Sequence, residues 1–347
     1  LATSLPSVLQ IGNQQSAIGN APVLCFIGAV PDDTLLLADV SDRGRLRVAG
    51  EDRARFLNGQ FSNDLRALPP LAGRYGVFPD AKGRVRADAV VLNPGPCLLV
   101  DAEPGVAAPL AAELERFVIA DDVLIEPLGE AWRGLCLVGA GAAGLLADCG
   151  LVASPPVDLF ALAPLAGGEW ERGFAFRSRR AAAPSFDLWL PAAVAGGIVR
   201  RLEEAAARLG GRRAGEAELE VLRVEAGIPR FGAEFDRSTL PQEAGLEETA
   251  ISFTKGCYLG QEVISRIKSV GHVNRALVRL RLPEGARAGD PLAREGREAG
   301  RLGSAVVSPR CGPIGLAVVR REAAAPGTRL ALPRGEATVV PVFEGAR

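Results

Sequence analysis

Hydrophobic and polar positions alternate in short runs along much of this chain, and the first run to read clearly is 34-TLLLADVSDRGRLRVAG-50. It predicts two strands joined by a turn at Ser41 to Gly44. Asp52 then stands where a helix N-cap would, before 53-RARFLNGQ-60, with Gly59 as the stop. The stretch 84-RVRADAVVL-92 alternates in part, and 97-CLLVD-101 follows a turn at Asn93-Pro94-Gly95. Leu110, Leu114, Phe117 and Val118 recur at helical spacing.

The second half opens with 133-RGLCLVGAGAAGLLADCG-150, which reads as a strand, a turn and a short helix. Pro and Gly crowd positions 154 to 168 and mark loops or a boundary. A helix is predicted over 198-IVRRLEEAAARL-209, with Ile198, Leu202, Ala205 and Leu209 on one face and Gly210 at its end. From about Ala276 the texture changes. Val278, Leu280 and Leu282 alternate with Arg279 and Arg281, and the apolar pieces 304-SAVV-307, 314-IGLAVV-319, 328-TRLAL-332 and 337-ATVVPVF-343 follow between Gly and Pro. Such spacing predicts a small antiparallel barrel or sandwich after a mixed α+β region. No internal repeat is evident.

Composition narrows the classes. The 347 residues suffice for two or three domains. Lys+Arg total 40 and Asp+Glu 41, so charge gives no reason to expect nucleic-acid or membrane binding. No apolar run approaches the ~20 residues of a membrane span. Residues 1–30 contain no Lys or Arg, which argues against a secretory or transit signal and for a loosely ordered extension. The six cysteines form no C-x-x-C pair and His272 is the single histidine, so neither a zinc site nor an iron–sulfur ligand set is expected. A reducing compartment, the cytoplasm, follows from the same scatter.

The segment 139-GAGAAG-144 fits G-x-G-x-x-G after an apolar strand. Its helix, however, meets Cys149-Gly150 after a few residues, and Ser154-Pro155-Pro156 replaces a second strand. It reads as a strand–helix turn, with a dinucleotide site as the weaker alternative. No Ser or Cys motif accompanies His272 to suggest a triad, so it reads as a structural residue.

Two stretches carry candidate chemistry. In 223-RVEAGIPRFGAEFD-236, Arg223 and Glu225 lie two apart and would share a face if extended. Glu225 is then either a carboxylate for a heterocycle with adjacent N–H donors or half of a solvated ion pair. In 255-KGCYLGQE-262, a chain with three lysines and two tyrosines places Lys255, Cys257 and Tyr258 within four positions. The pattern predicts a strand over 250-AISFTKG-256 and a helix over 260-GQEVISRIK-268, with Gly256 and Gly260 free to turn. A helix N-terminus and a nearby lysine favour a thiolate, against the opposing charge of Glu262. Cys257 reads either as a reactive thiol or as a buried filler of the turn.

The octapeptide 255-KGCYLGQE-262 resembles the signature of the YgfZ-type folate-binding proteins, relatives of the glycine cleavage T-protein that include factors for maturing [4Fe-4S] proteins. The resemblance extends through 44-GRLRVAGEDRARFLNGQFSNDL-65, 74-RYGVFPDAKGRVRADAVVL-92, 223-RVEAGIPRFGAE-234 and 271-GHVNRALVRL-280, covering about Leu35 to Phe343. It implies a three-domain α+β architecture around a folate channel, ending in a β-barrel. The expected division is 1–30 as an extension, 31–265 as the aminomethyltransferase-like region and 270–347 as the barrel.

The same resemblance implies that Glu225 contacts the pterin and that Asp88 matches the acidic residue near the reactive folate nitrogen. Arg223, Lys255, Tyr258 and Arg275 join the expected folate-binding set, and Cys257 joins Asp88 as the expected chemistry. The sequence departs from T-protein twice: its doubled acidic pair is here Ala87-Asp88, and an acidic residue after Lys-Gly is here Cys257. The function expected is a tetrahydrofolate-binding accessory protein for assembly or repair of iron–sulfur enzymes, including tRNA-modifying ones. Its partners would be those client enzymes or assembly proteins, without direct nucleic-acid contact. A glycine-cleavage-type aminomethyltransferase and a folate-binding module without catalysis are the alternatives.

Overall fold

The computed structural model describes residues 35–166, 168 and 170–341. The extension expected over residues 1–30 lies outside the described residues. The chain begins with β1 (Leu36–Asp39), β2 (Gly44–Ala49), α1 (Arg53–Gln60), β3 (Ala72–Pro79), β4 (Val85–Asn93) and β5 (Leu98–Ala102). Next come α2 (Ala107–Glu115), β6 (Leu124–Pro127), β7 (Trp132–Val138), α3 (Ala142–Asp148), β8 (Leu162–Pro164), β9 (Phe174–Ser178) and β10 (Ser185–Pro191). Then α4 (Ala192–Arg208), β11 (Arg212–Arg213), α5 (Glu216–Glu225), α6 (Glu247–Ala250) and α7 (Gln261–Val270) lead to the last module. That module holds β12 (Arg275–Arg281), β13 (Pro291–Arg294), β14 (Arg297–Ser308), β15 (Gly312–Arg320), β16 (Arg329–Leu332) and β17 (Gly335–Val340).

These strands form two open sheets and one closed barrel. One sheet has the order β11-β1-β7-β10-β9-β8, the other β3-β4-β5-β2-β6, and the barrel runs β12-β15-β14-β13-β16-β17. The mixed α+β body with a terminal barrel is thus the architecture the alternation predicts, with β13 as an added strand. The two strands of the first run are both present, but they enter different sheets. Arg45 fastens the crossover by donating to the carbonyls of Val40 and Ser41.

Period-two burial sets the layers. Leu37, Leu135 and Leu137 pack with Leu145, Leu146 and Leu202 of α3 and α4 on the outer face of the first sheet. Ala87, Ala89 and Val91 pack with Phe56, Leu57 and Leu110 of α1 and α2 on the outer face of the second. Between the sheets lies an aromatic layer holding Trp132, Trp170 and Trp189 with Leu92, Leu99, Phe174 and Phe176. The barrel fills itself with Val278, Leu280, Leu302, Val319 and Leu330 and docks through Ile314 and Leu316 on Val224 of α5.

Several local expectations are corrected. The chain at 223–225 is helical, not extended, so Arg223 and Glu225 point about 200° apart. The strand expected over 250–256 is the short α6 followed by a loop. Asp52 makes no cap bond; its carboxylate instead accepts the Asp122 N–H and pairs with Arg55. Leu209 is an exposed C-cap, and α4 buries Ala195, Leu202 and Ala206. At 139–144, β7 runs antiparallel to both β1 and β10, so the βαβ unit a dinucleotide fingerprint needs does not form.

Two glycines hold the modules together. Gly260 (φ 77°) opens α7, and a Cβ there would stand 2.3 Å from the Asp80 carbonyl oxygen in the β3–β4 turn. Gly227 (φ 68°) follows α5, and a Cβ there would stand 2.6 Å from Nη2 of the buried barrel residue Arg279. No L side chain other than a strained one fits either place.

Candidate functional site

A cavity of about 460 Å³ opens between the two sheets and is closed on one side by α5. The β1–β2 turn, β3, β4, β5 and the two residues after it, β9 and its end, the segment 228–230, Phe160 and Leu246 supply the rest of its wall. Alternation along β4 decides which side chain enters. Ala87 and Ala89 face the helices, so Asp88 faces the opposite sheet and the cavity.

Asp88 is buried, and the Tyr75 hydroxyl donates to its Oδ2 at 2.8 Å. Its Oδ1 is also buried and has no hydrogen-bond partner among the described residues. Burial, and then the charge of Glu103, push the Asp88 carboxyl up to about 7. Burial and the neighbouring Asp88 likewise drive the Tyr75 hydroxyl well up, so it stays a proton donor at neutral pH. A buried carboxyl oxygen without a hydrogen-bond partner among the described residues, on a residue that lines a cavity, asks for a ligand group that can share a proton with it.

The cations around it are mostly committed. Arg43 donates to Asp101 at 2.5 Å and to Glu103 at 2.7 Å. Although burial works the other way, the charges of Arg43 and Arg180 hold the Glu103 carboxyl below its ordinary value. Arg180 is paired with Asp187, and the Trp189 indole donates to Asp101 at 3.2 Å. Arg223 donates to Glu220 at 2.9 Å and Glu234 at 3.0 Å, and reaches the barrel at Ser304. Arg230 pairs with Glu220. Arg179 forms no hydrogen bond or salt bridge among the described residues and lines the cavity.

Of the residues singled out in the sequence, only Asp88 and Arg223 line this cavity. Glu225 turns instead to the barrel, where its carboxylate accepts from the Ser308 hydroxyl and pairs with Arg310. Arg275 is spent on Glu243 and the Ser238 carbonyl. Lys255 points inward and donates to the carbonyl oxygens of Asn58, Phe61 and Asn63 at 2.6–2.8 Å. Burial pulls its ammonium down to about 8, and its charge lies 4.9 Å from the centre of the buried Tyr258 ring. Burial pushes the Tyr258 hydroxyl up to about 12. Cys257 is exposed and lies outside the cavity wall, which removes the buried-filler reading.

Tyr75, Arg43, Glu103 and Arg179 were not singled out by sequence reasoning. Tyr75 left one signal, since it is the other of only two tyrosines and sits in a block shared with the family. Arg43, Glu103 and Arg179 stand in turns or at strand ends among dozens of similar charges, and only folding groups them. Among the described residues no cluster of three or more His, Cys, Asp or Glu is placed to hold a metal ion, and no helix is long and apolar enough to cross a membrane.

Two family descriptions match the chain: the GCVT N-terminal domain over residues 32–255 and the glycine cleavage T-protein C-terminal barrel domain over residues 275–342. The chain belongs to the glycine cleavage T-protein family. An aminomethyltransferase of Rubrobacter xylanophilus is 30% identical over 292 residues, 82% of this chain and 76% of that protein. A tRNA-modifying protein YgfZ of Escherichia coli O157:H7 is 28% identical over 270 residues, 74% of this chain and 76% of that protein. A solved aminomethyltransferase T of the glycine cleavage system from Bartonella henselae shares the fold, with a TM-score of 0.78 and 23% identity over 90% of this chain and 87% of that one. The chain is thus similar to both the aminomethyltransferases and the YgfZ proteins of this family.

Proposed function

We propose that the cavity binds a reduced folate, tetrahydrofolate or a one-carbon derivative, and that the protein supports assembly or repair of [4Fe-4S] enzymes, including tRNA-modifying ones, in the cytoplasm. The observation that carries the ligand reading is Asp88, a buried residue in the wall of a cavity of about 460 Å³ whose carboxyl Oδ1 has no hydrogen-bond partner among the described residues. A reduced pterin supplies ring N–H groups and the nitrogens that carry one-carbon units, and Oδ1 is suited to share a proton with such a group. Tyr75 holds the other oxygen and fixes the carboxyl plane. Above about pH 7 the carboxylate accepts a hydrogen bond; below it the carboxylic acid donates one. The client reading rests on the resemblance of 255-KGCYLGQE-262 to the YgfZ signature and on the exposure of Cys257.

The second reading is an aminomethyltransferase. It is favoured by the same Asp88, whose carboxyl titrates near neutrality and can therefore give or take a proton during one-carbon transfer. Isothermal calorimetry at pH 8 tests the ligand reading. Tetrahydrofolate should bind the wild-type protein and bind Asp88→Asn about tenfold or more weakly, the cost of losing a charged acceptor. Equal affinity for the two proteins would remove Asp88 from the site. Turnover with a lipoyl carrier protein would favour the second reading, whereas restored [4Fe-4S] enzyme activity in a deletion strain would favour the first.

A further inference from the structure

We infer that Arg179 reads an anionic group, a carboxylate, on the ligand that occupies the cavity, and so sets its preference for folates bearing a glutamate. This rests on the folate reading above and assigns a further residue to the same site. Five arginines line the cavity, and four of them, Arg43, Arg180, Arg223 and Arg230, form salt bridges with carboxylates. Arg179 is the exception among the described residues, with no hydrogen bond and no ion pair. It stands beside the paired Arg180 just past the end of β9, so its backbone is fixed while its guanidinium is left uncommitted.

The surrounding charges make the position selective. Asp39, Asp42 and Glu216 also line the cavity and form no salt bridge among the described residues, so an anion beside them meets repulsion. Arg179 is the place where it is attracted. Burial distinguishes the two residues, although the charge of Arg179 also reaches the Tyr75 hydroxyl that holds Asp88. Asp88 is buried, whereas Arg179 is half-buried and keeps part of its surface in solvent. A ligand with ring donors for the buried Asp88 and a carboxylate for the half-buried Arg179 matches that difference in burial. An arginine meets such a carboxylate through two parallel N–H donors, the strongest common geometry for this pair.

Because Arg179 has no hydrogen-bond or ion-pair partner to lose among the described residues, Arg179→Gln should fold with unchanged stability. The test is the affinity of wild type and Arg179→Gln for tetrahydropteroate and for tetrahydrofolate, measured by calorimetry under anaerobic conditions. Wild type should prefer tetrahydrofolate by about tenfold, and the variant should bind both within about twofold, with its tetrahydropteroate affinity unaltered. Arg179→Lys should recover part of the preference, since the charge remains and the fork is lost. If wild type binds both compounds equally, or Arg179→Gln keeps the wild-type preference, the assignment of Arg179 is overturned and the folate reading stands. If wild type binds neither, both fall together.

Discussion

Asp88 shows how one side chain can be costly to the fold and useful to the site. Its folded carboxyl titrates near 7 rather than at the ordinary value of about 3.9, chiefly because burial disfavours the charge. A raised value means that the folded state holds the proton more tightly than the unfolded chain does. The resulting stability is complete below about pH 4 and is lost as pH rises through about 7. Wild type should therefore resist urea less at pH 8 than at pH 5, by on the order of a few kcal/mol. Asp88→Asn should flatten that difference and be the more stable protein at pH 8. Parallel urea titrations of both proteins at the two pH values decide it, and an identical pH dependence would mean that other groups dominate. The same variant is expected to bind ligand more weakly, so stability and affinity should move in opposite directions.

At the scale of elements, α5 separates two jobs that the two-residue spacing of Arg223 and Glu225 places together. Ala217, Leu219 and Val221 alternate with Glu216, Glu218 and Glu220, a period-two pattern that imitates a strand. The segment is helical because Leu219 and Leu222 pack with Cys136 and Val138 of the first sheet while Val224 packs on the barrel. Only the folded environment resolves that ambiguity. Arg223 consequently lines the cavity and Glu225 clamps the barrel turn at Ser308 and Arg310. Glu225→Ala should cost about 2 kcal/mol of stability through the lost charged hydrogen bonds. It should leave ligand affinity within about twofold of wild type, because its side chain does not line the cavity. Melting curves and calorimetry on one preparation check both parts; a large affinity loss without destabilisation would return Glu225 to the binding site. Strands β1, β2, β4, β5 and β7, helices α2, α4 and α7 and five of the six barrel strands were legible because their periodicity is local, whereas β3, β6, β8–β11 and β13 were not read from the sequence. The loop after α6 was not, since Lys255, Ser252 and Leu259 bond to carbonyls of residues 58–63, nearly two hundred positions away in the chain.

Across the whole molecule, the cavity and the cysteine loop are separate places on a shared frame. The cavity wall is built from the two sheets, α5 and the segments beside it, and none of residues 255–258 belongs to it. The loop is fixed from beneath. Lys255 fills a cup of three carbonyl oxygens, the Ser62 hydroxyl donates to the Ala250 carbonyl, and Gly260 lets the chain turn tightly over Asp80 into α7. On that base the Cys257 side chain is exposed, with little packing to lose. Cys257, which the resemblance grouped with Asp88, is thus an exposed thiol outside the cavity wall that Asp88 lines. Cys257→Ser should keep the melting temperature within about 2 °C of wild type, since surface substitutions typically change stability by less than about 0.5 kcal/mol. It should also bind tetrahydrofolate as wild type does. What it should lose is the restoration of [4Fe-4S] enzyme activities in a deletion strain, because a hydroxyl lacks the soft, ionisable sulfur that the client role would use. Asp88→Asn gives the complementary pattern, weakened ligand binding with the thiol intact. If Cys257→Ser restores those activities fully, the thiol has no part in the client role, and only the cavity is left to carry function.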